Sequence, residues 1–304
     1  MMTQLATTLG PVTLPTPLIA ASGTVGSVVD FAGTVDFSVY GAAVAKSVAP
    51  EPWEGRPPPR MAPVGSGMLN GIGIQNPGIE AWAREVGPRL GTLPTQCWGS
   101  AVAHDPDGFA VVAAGLEACG VTSIEVNLSC PNLGGATLFA LDAGDTEQVV
   151  SAVKQSVDLP IGAKLSPNAP DIVAIAEAAV AGGADWLVLT NTVWGAGIDI
   201  ETRRPLLSGG VGGYSGIPLK PIALRCVWEV GRALPHVPIV GCGGVSSGDD
   251  VVEYLLAGAS AVALGSVHFA EPRAGARILR ELVRWMEDSG INAPGELIGA
   301  AEPW

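Results

Sequence analysis

Short apolar runs alternate with longer stretches of helical spacing along almost the whole chain. Pro17–Ala21, Ala42–Lys46, Thr95–Ser100, Ser123–Leu128, Ile161–Leu165, Trp186–Thr190, Pro238–Gly241 and Ala261–Leu264 read as strands, being brief, mostly aliphatic and bounded by turn residues. Between them, Pro106–Cys119, Thr146–Val157, Ala169–Ala181, Pro221–Leu234, Asp249–Ala257 and Arg273–Asp288 repeat apolar residues at helical intervals. Several of these segments stop at glycine, as at Gly120, Gly182 and Gly258, which suits helix ends leading into the next buried strand. Strand and helix in strict alternation, with about eight strands, predict an α/β fold, a single (β/α)8 TIM barrel spanning residues 1–304. Leu5–Pro15, turning at Gly10-Pro11, predicts an N-terminal β-hairpin that plugs the bottom of the barrel.

Two connections break the rhythm. Ala49–Gln75 and Asn191–Gly216 are long and rich in glycine or proline, and each follows a strand, so both belong on the carboxyl-end face where barrel enzymes carry their sites. Apolar residues make up 48% of the chain and charged ones 15%, which excludes a disordered protein. A formal charge of −13 argues against a broad nucleic-acid or anionic-membrane surface. Five cysteines, at 97, 119, 130, 226 and 242, show no metal or cluster spacing, so no metal is expected; their odd number suits a reducing cytosol. With no apolar run of spanning length and no basic leader in Met1–Gly10, a soluble cytoplasmic protein is expected.

The chemistry concentrates after the strands. Gly241-Cys-Gly-Gly-Val245 and Ala263-Leu-Gly-Ser266 place glycine turns behind the last two strands, where barrels bind phosphate through backbone N–H groups. No dinucleotide or Walker fingerprint is present, which favours a mononucleotide such as FMN. Lys46 and Lys164, both at strand ends, supply positive charge to a reduced flavin or another electron-rich centre. Asn70, Asn127, Asn132 and Asn191 share that face, and amides read a ring of alternating carbonyl and N–H groups. Cys130 follows the alternating run Ile124–Asn127 and precedes Gly134 and Gly135, which puts the thiol on a loop. Its role stays open between inert thiol, nucleophile and general base, and His104, His236 and His268 are poorly spaced for a Cys–His pair. A barrel aldolase or lyase with Lys164 as Schiff-base lysine is the reading from another reaction class, and a non-enzymatic binding barrel is a third.

Four motifs occur together: Asn127-Leu-Ser-Cys-Pro-Asn132, Ser66-Gly-Met-Leu-Asn-Gly-Ile-Gly-Ile-Gln-Asn76, Ala163-Lys-Leu-Ser-Pro-Asn168 and Gly212-Gly-Tyr-Ser-Gly216. Over nearly the whole chain the sequence resembles class 1 dihydroorotate dehydrogenases. Cysteine rather than serine at 130 resembles class 1 and not the membrane-associated class 2, and with Thr192 after Asn191 and Ala20-Ala-Ser-Gly23 the chain is most similar to class 1B catalytic subunits. The resemblance implies oxidation of dihydroorotate to orotate, a step of pyrimidine biosynthesis, by an FMN flavoprotein. In it Cys130 is the general base at substrate C5, a hydride passes from C6 to flavin N5, and the Cys130 loop closes over the substrate. It implies substrate contacts at Lys46, Asn70, Gly71, Ile72, Gly73, Ile74, Asn127, Asn191 and Thr192. Flavin contacts are implied at Ser22, Lys46, Ser47, Asn127, Lys164, Thr190, Gly216, Gly243, Gly244, Gly265 and Ser266, with Lys164 at the N1–O2 edge. It further implies a homodimeric core and a partner subunit carrying FAD and an iron–sulfur cluster that passes electrons to NAD; a class 1A enzyme using fumarate is the nearest alternative. Gln96 stands where relatives carry a flavin-contacting asparagine, and Trp194 and Tyr214 are bulkier than expected at the substrate pocket, which leaves room for a reductase of another cyclic amide.

Overall fold

Residues 4–129 and 139–302 are described by the structure, a computed structural model. The first elements are the antiparallel hairpin β1 (Thr7–Leu9) and β2 (Val12–Leu14), then β3 (Leu18–Ala20) and β4 (Ala42–Val44). A second hairpin, β5 (Met61–Val64) and β6 (Gly67–Asn70), leads to α1 (Ile79–Glu85). Regular alternation follows: β7 (Gln96–Ala101), α2 (Pro106–Ala118), β8 (Ser123–Asn127), α3 (Ala143–Ser156), β9 (Ile161–Lys164), α4 (Ile172–Ala181) and β10 (Trp186–Leu189). Four short strands interrupt it, β11 (Val193–Ala196), β12 (Ile198–Asp199), β13 (Arg204–Pro205) and β14 (Val211–Gly216). The chain ends with α5 (Lys220–Ala233), β15 (Ile239–Cys242), α6 (Gly248–Leu256), β16 (Ala261–Leu264), α7 (Val267–Ala270) and α8 (Ala274–Ser289).

Eight strands close into one parallel barrel in the order β3-β4-β7-β8-β9-β10-β15-β16, so the expected fold is borne out. Period-two alternation divides each strand between two environments. On β8, Ile124 and Val126 pack outward against the helices, while Ser123, Glu125 and Asn127 take the alternate, inward positions. The inward residues build a separate apolar cluster from Ile19, Val44, Trp98, Trp186, Val188 and Val240, joined from below by Leu9, Val12 and Leu14 of the hairpin. Trp98 and Trp186 face each other there with ring centroids 5.0 Å apart. The hairpin therefore closes the barrel's amino end, as its position in the sequence suggested, and leaves the carboxyl end for chemistry.

Local chemistry starts the helices. Asp105, Asp142 and Asp171 each accept a hydrogen bond from a backbone N–H in the first turn of α2, α3 and α4, and Ser247 forms a reciprocal capping box with Asp250 at α6. The two long connections are not irregular loops. Their strands pair antiparallel in the order β11-β14-β6-β5, a small sheet laid over the carboxyl end, and β12 and β13 form a further hairpin. Among the described residues no helix is long and apolar enough to cross a membrane.

Candidate active site

The inward faces of the strands run upward into a cavity of about 330 Å³ at the carboxyl end of the barrel. Ala21, Lys46, Asn127, Lys164, Thr190, Cys242 and Gly265 reach it from the strands or the residue or two after them, and Met61, Met68, Asn70, Ser215 and Gly216 reach it from the overlying sheet. Of the positions expected for flavin, Ser22, Lys46, Ser47, Asn127, Lys164, Thr190, Gly216, Gly243, Gly244, Gly265 and Ser266 all line this one cavity. So do Asn70, Ile72, Ile74, Asn191 and Thr192 of the positions expected for substrate. Gly71 and Gly73 stand behind that wall: a Cβ on either would meet Arg56. Cys130 and Asn132 lie outside the described residues, which resume at Phe139.

One end of the cavity is a backbone cradle. Gly243 and Gly244 have φ of 144° and 69°, where a side chain is strained, and a Cβ on Gly243 would come within 2.7 Å of the Ala223 methyl. Beside them, Gly265 and Ser266 follow the neighbouring strand β16 and lead into α7. Behind that turn His268 is buried, with its Nε2 2.8 Å from the Tyr40 hydroxyl and its Nδ1 3.1 Å from the Thr24 hydroxyl. Thr24 spends its proton on the Ala21 carbonyl, so it accepts from His268 Nδ1–H, and Nε2 accepts from Tyr40. Burial holds this imidazole down to a pKa of about 4 and keeps it neutral.

The floor is polar and almost dry. Lys164 is 5% exposed, and its ammonium donates to Ser22 Oγ at 3.3 Å and lies 3.6 Å from a carboxylate oxygen of Glu125. Ser22 passes its own proton to Glu125 at 2.8 Å. Asn127 donates to Ser47 at 2.9 Å, and Ser47 contacts Ser100 at 2.9 Å. Burial pushes the Cys242 thiol up, with the Lys164 charge acting against that shift and Glu125 adding to it. Glu125, Thr24, Met68, Cys242 and Phe269 were not singled out from the sequence. For Glu125 the signal existed, since strand alternation places it on the same inward face as Asn127.

Gln96 needs correction as a cavity residue. It is the first residue of β7, at the amino end of the barrel, and its amide donates to the Thr13 carbonyl of the plugging hairpin at 2.9 Å. The residue of β7 that meets the site's polar network is Ser100. Trp194 is half exposed on β11, and Tyr214 on β14 donates to the Val64 carbonyl at 3.2 Å while packing near Leu69; neither lines the cavity. The bulk of these two residues therefore falls on the overlying sheet and not on the cavity wall.

This donor set fits a flavin nucleotide. A glycine cradle suits phosphate, a buried cation suits the electron-rich edge of a reduced ring, and converging amides suit a pyrimidine. Comparison with known proteins agrees. Residues 4–286 match the family model described as dihydroorotate dehydrogenase. The chain is 42% identical over 288 residues to the dihydroorotate dehydrogenase B (NAD(+)) catalytic subunit of Geobacter sp. (strain M21), covering 94% of each chain. It is 40% identical over 303 residues to the protein of the same name from Desulforudis audaxviator, covering 99% of this chain and 98% of the relative. In fold it is similar to a crystal structure of DHODH from Eimeria tenella in complex with ferulenol, with a TM-score of 0.82 at 22% identity over 98% of this chain and 88% of that one. On fold, cavity and sequence together, the chain belongs to the dihydroorotate dehydrogenase family of oxidoreductases.

Proposed function

We propose that this chain is the catalytic subunit of a class 1B dihydroorotate dehydrogenase that holds FMN in the 330 Å³ cavity and converts dihydroorotate to orotate. The observation that carries the reading is the convergence, in one cavity, of the glycine cradle, the buried Lys164 and the amides of Asn70, Asn127 and Asn191. FMN, when bound, would supply the acceptor for the hydride, which carries both electrons of the oxidation. Gly243, Gly244, Gly265 and Ser266 hold its phosphate through backbone N–H groups. Lys164 keeps a positive charge fixed where negative charge develops, inside a site that water does not screen. Lys46 answers the substrate carboxylate, and the three amides read the ring edges. Cys130, as thiolate, takes the proton from substrate C5; a thiol with a reference pKa of about 8.5 needs only modest lowering to serve near neutral pH.

Both relatives are named as catalytic subunits of NAD(+) enzymes, which supports a separate electron-transfer subunit. We assign to that partner the FAD and the iron–sulfur cluster, and place the assembly around a homodimer of this chain in the cytoplasm. Anaerobic mixing of the purified yellow protein with dihydroorotate tests the core of the reading. Bleaching of the flavin bands is expected, and flavin that stays oxidised with dihydroorotate but is reduced by another dihydropyrimidine overturns the substrate. Turnover with NAD only when an iron–sulfur partner co-purifies separates this reading from a fumarate-using class 1A enzyme.

A further inference from the structure

A carboxylate and an ammonium share the barrel interior just below the cavity. Glu125 on β8 and Lys164 on β9 are 3% and 5% exposed, with their charged atoms 3.6 Å apart. Strand register brings them together: Asn127 pairs with Lys164, and Glu125 lies two residues, one inward position, deeper on β8. Removing a carboxylate from water is costly and is tolerated only with charge and hydrogen-bond partners. Anion binding, ring recognition and proton removal, as argued above, make no use of this group.

Its contacts show what it acts on. Glu125 Oε1 accepts from Ser22 at 2.8 Å and Ser100 at 3.4 Å, and Ser22 accepts from Lys164 at 3.3 Å. Ser22 and Lys164 line the cavity while Glu125 does not, so the carboxylate acts on the cavity from beneath, through those two residues. It also sets the sense of a longer chain. A carboxylate only accepts, so Ser100 gives it its single proton, Ser100 then accepts from Ser47, and Ser47 accepts from Asn127 Nδ2. The amide face that Asn127 presents to the cavity is therefore fixed by an acceptor three links away. Both charges also reach the cavity wall, since they act in opposite senses on the Cys242 thiol.

We propose that Glu125 is a positioning residue that offsets the charge of Lys164 and orients Ser22, Ser47 and Asn127, and so holds the reduction potential of the bound flavin below the value Lys164 alone would set. The inference rests on flavin occupying this cavity. Neutralising Glu125 removes its offset to the lysine's field and favours the anionic reduced flavin; neutralising Lys164 does the reverse.

The test is an anaerobic dithionite titration of the flavin-bearing protein against a reference dye, which needs neither dihydroorotate nor a partner subunit. Glu125→Gln is expected to shift the reduction equilibrium at least about tenfold toward the reduced form, about 30 mV upward for a two-electron couple. Lys164→Gln is expected to shift it downward. A Glu125→Gln potential that is unmoved or lowered overturns the inference while leaving the functional reading intact; a wild-type protein that binds no flavin overturns both. If Glu125→Gln loses its flavin, Glu125→Asp decides. Flavin retained at the wild-type potential supports a role for the charge, and loss in both variants makes Glu125 a packing residue and overturns the proposal.

Discussion

Asn191 donates two hydrogen bonds to Ser129, one to its hydroxyl at 2.9 Å and one to its carbonyl oxygen at 3.2 Å. Ser129 is the residue before Cys130, and Asn191 begins the connection that rises from β10 into the overlying sheet. The oxygen of the same amide accepts from the Thr192 backbone N–H at 2.9 Å, so Asn191 is oriented from both ends. A side chain expected to read the substrate ring thus also braces the root of the segment that carries the proposed base.

Asn191→Ala removes that brace without touching the phosphate cradle. The variant should keep its flavin content, while reduction by dihydroorotate, followed by anaerobic stopped flow, slows by about 10²-fold, the scale on which small misplacements of reacting groups act. Wild-type reduction kinetics in the variant would show that Ser129 is held well enough by other contacts.

Cys130→Ser tests the proton step itself. A hydroxyl is a far poorer base than a thiol near neutral pH, so flavin reduction should slow by about 10²–10⁴-fold while flavin absorbance stays normal. In the wild type the rate should rise with pH toward the thiol's ordinary range near 8.5, and in the serine variant it should go on rising beyond it. An unchanged rate at pH 7 would remove Cys130 from the mechanism.

Barrel strands such as Ile161–Lys164 and Trp186–Leu189 announce themselves because their burial is local information, carried in adjacent apolar residues. The sheet over the cavity does not. Val211–Gly216 contains three glycines, has little strand propensity, and finds its partner Asn70 only through a pairing with Gly213 that is 143 residues distant. Helix α1 escaped for a related reason: seven residues after Gly78 show barely two turns of periodicity around Ile79 and Trp82. At the site, chemistry at strand ends was readable, as with Lys46 and Lys164. Which end of a strand a residue occupies was less so, and Gln96, at the wrong end of β7, shows the consequence. Glu125 was overlooked because a charged residue inside a barrel runs against composition-based expectation, although the alternation Ile124-Glu125-Val126-Asn127 places it inward.

Two glycines of the cradle should respond differently to a methyl group. A Cβ on Gly265 would find only the Ala21 methyl at 3.9 Å and Thr24 Cγ2 at 4.0 Å, both on residues that line the cavity. Gly265→Ala should therefore fold with an unchanged Tm and bind FMN about tenfold more weakly, a loss of about 1.4 kcal/mol. Gly244, at φ 69°, would bring its Cβ within 2.6 Å of the Lys220 backbone nitrogen, so Gly244→Ala should lose about 1–3 kcal/mol of stability even in the flavin-free protein. Thermal melts with and without FMN, together with fluorescence titration, separate the two outcomes. Equal effects on Tm in the flavin-free proteins would argue against Gly265 as an open wall of the phosphate site.

Acid should weaken the same corner of the barrel through His268. Burial lowers its pKa from 6.5 to about 4, and the tautomer set by Thr24 leaves Nε2 as an acceptor for the Tyr40 hydroxyl. Between those two values the unfolded chain binds a proton that the folded chain refuses. The contribution is thus fully present above pH 6.5 and is lost as pH falls toward 4, with roughly 2 kcal/mol gone by pH 5. His268→Gln abolishes this one titration and leaves the carboxylates untouched, so urea unfolding of wild type and variant at pH 7 and pH 5 isolates it. The wild type should lose more stability over that interval than the variant does. Ser266 and Phe269 flank His268 and both line the cavity, so flavin release on acidification should show the same difference between the two proteins. Parallel stability profiles would mean that the imidazole binds its proton equally well in the folded and unfolded chains, so that burial does not oppose its charging.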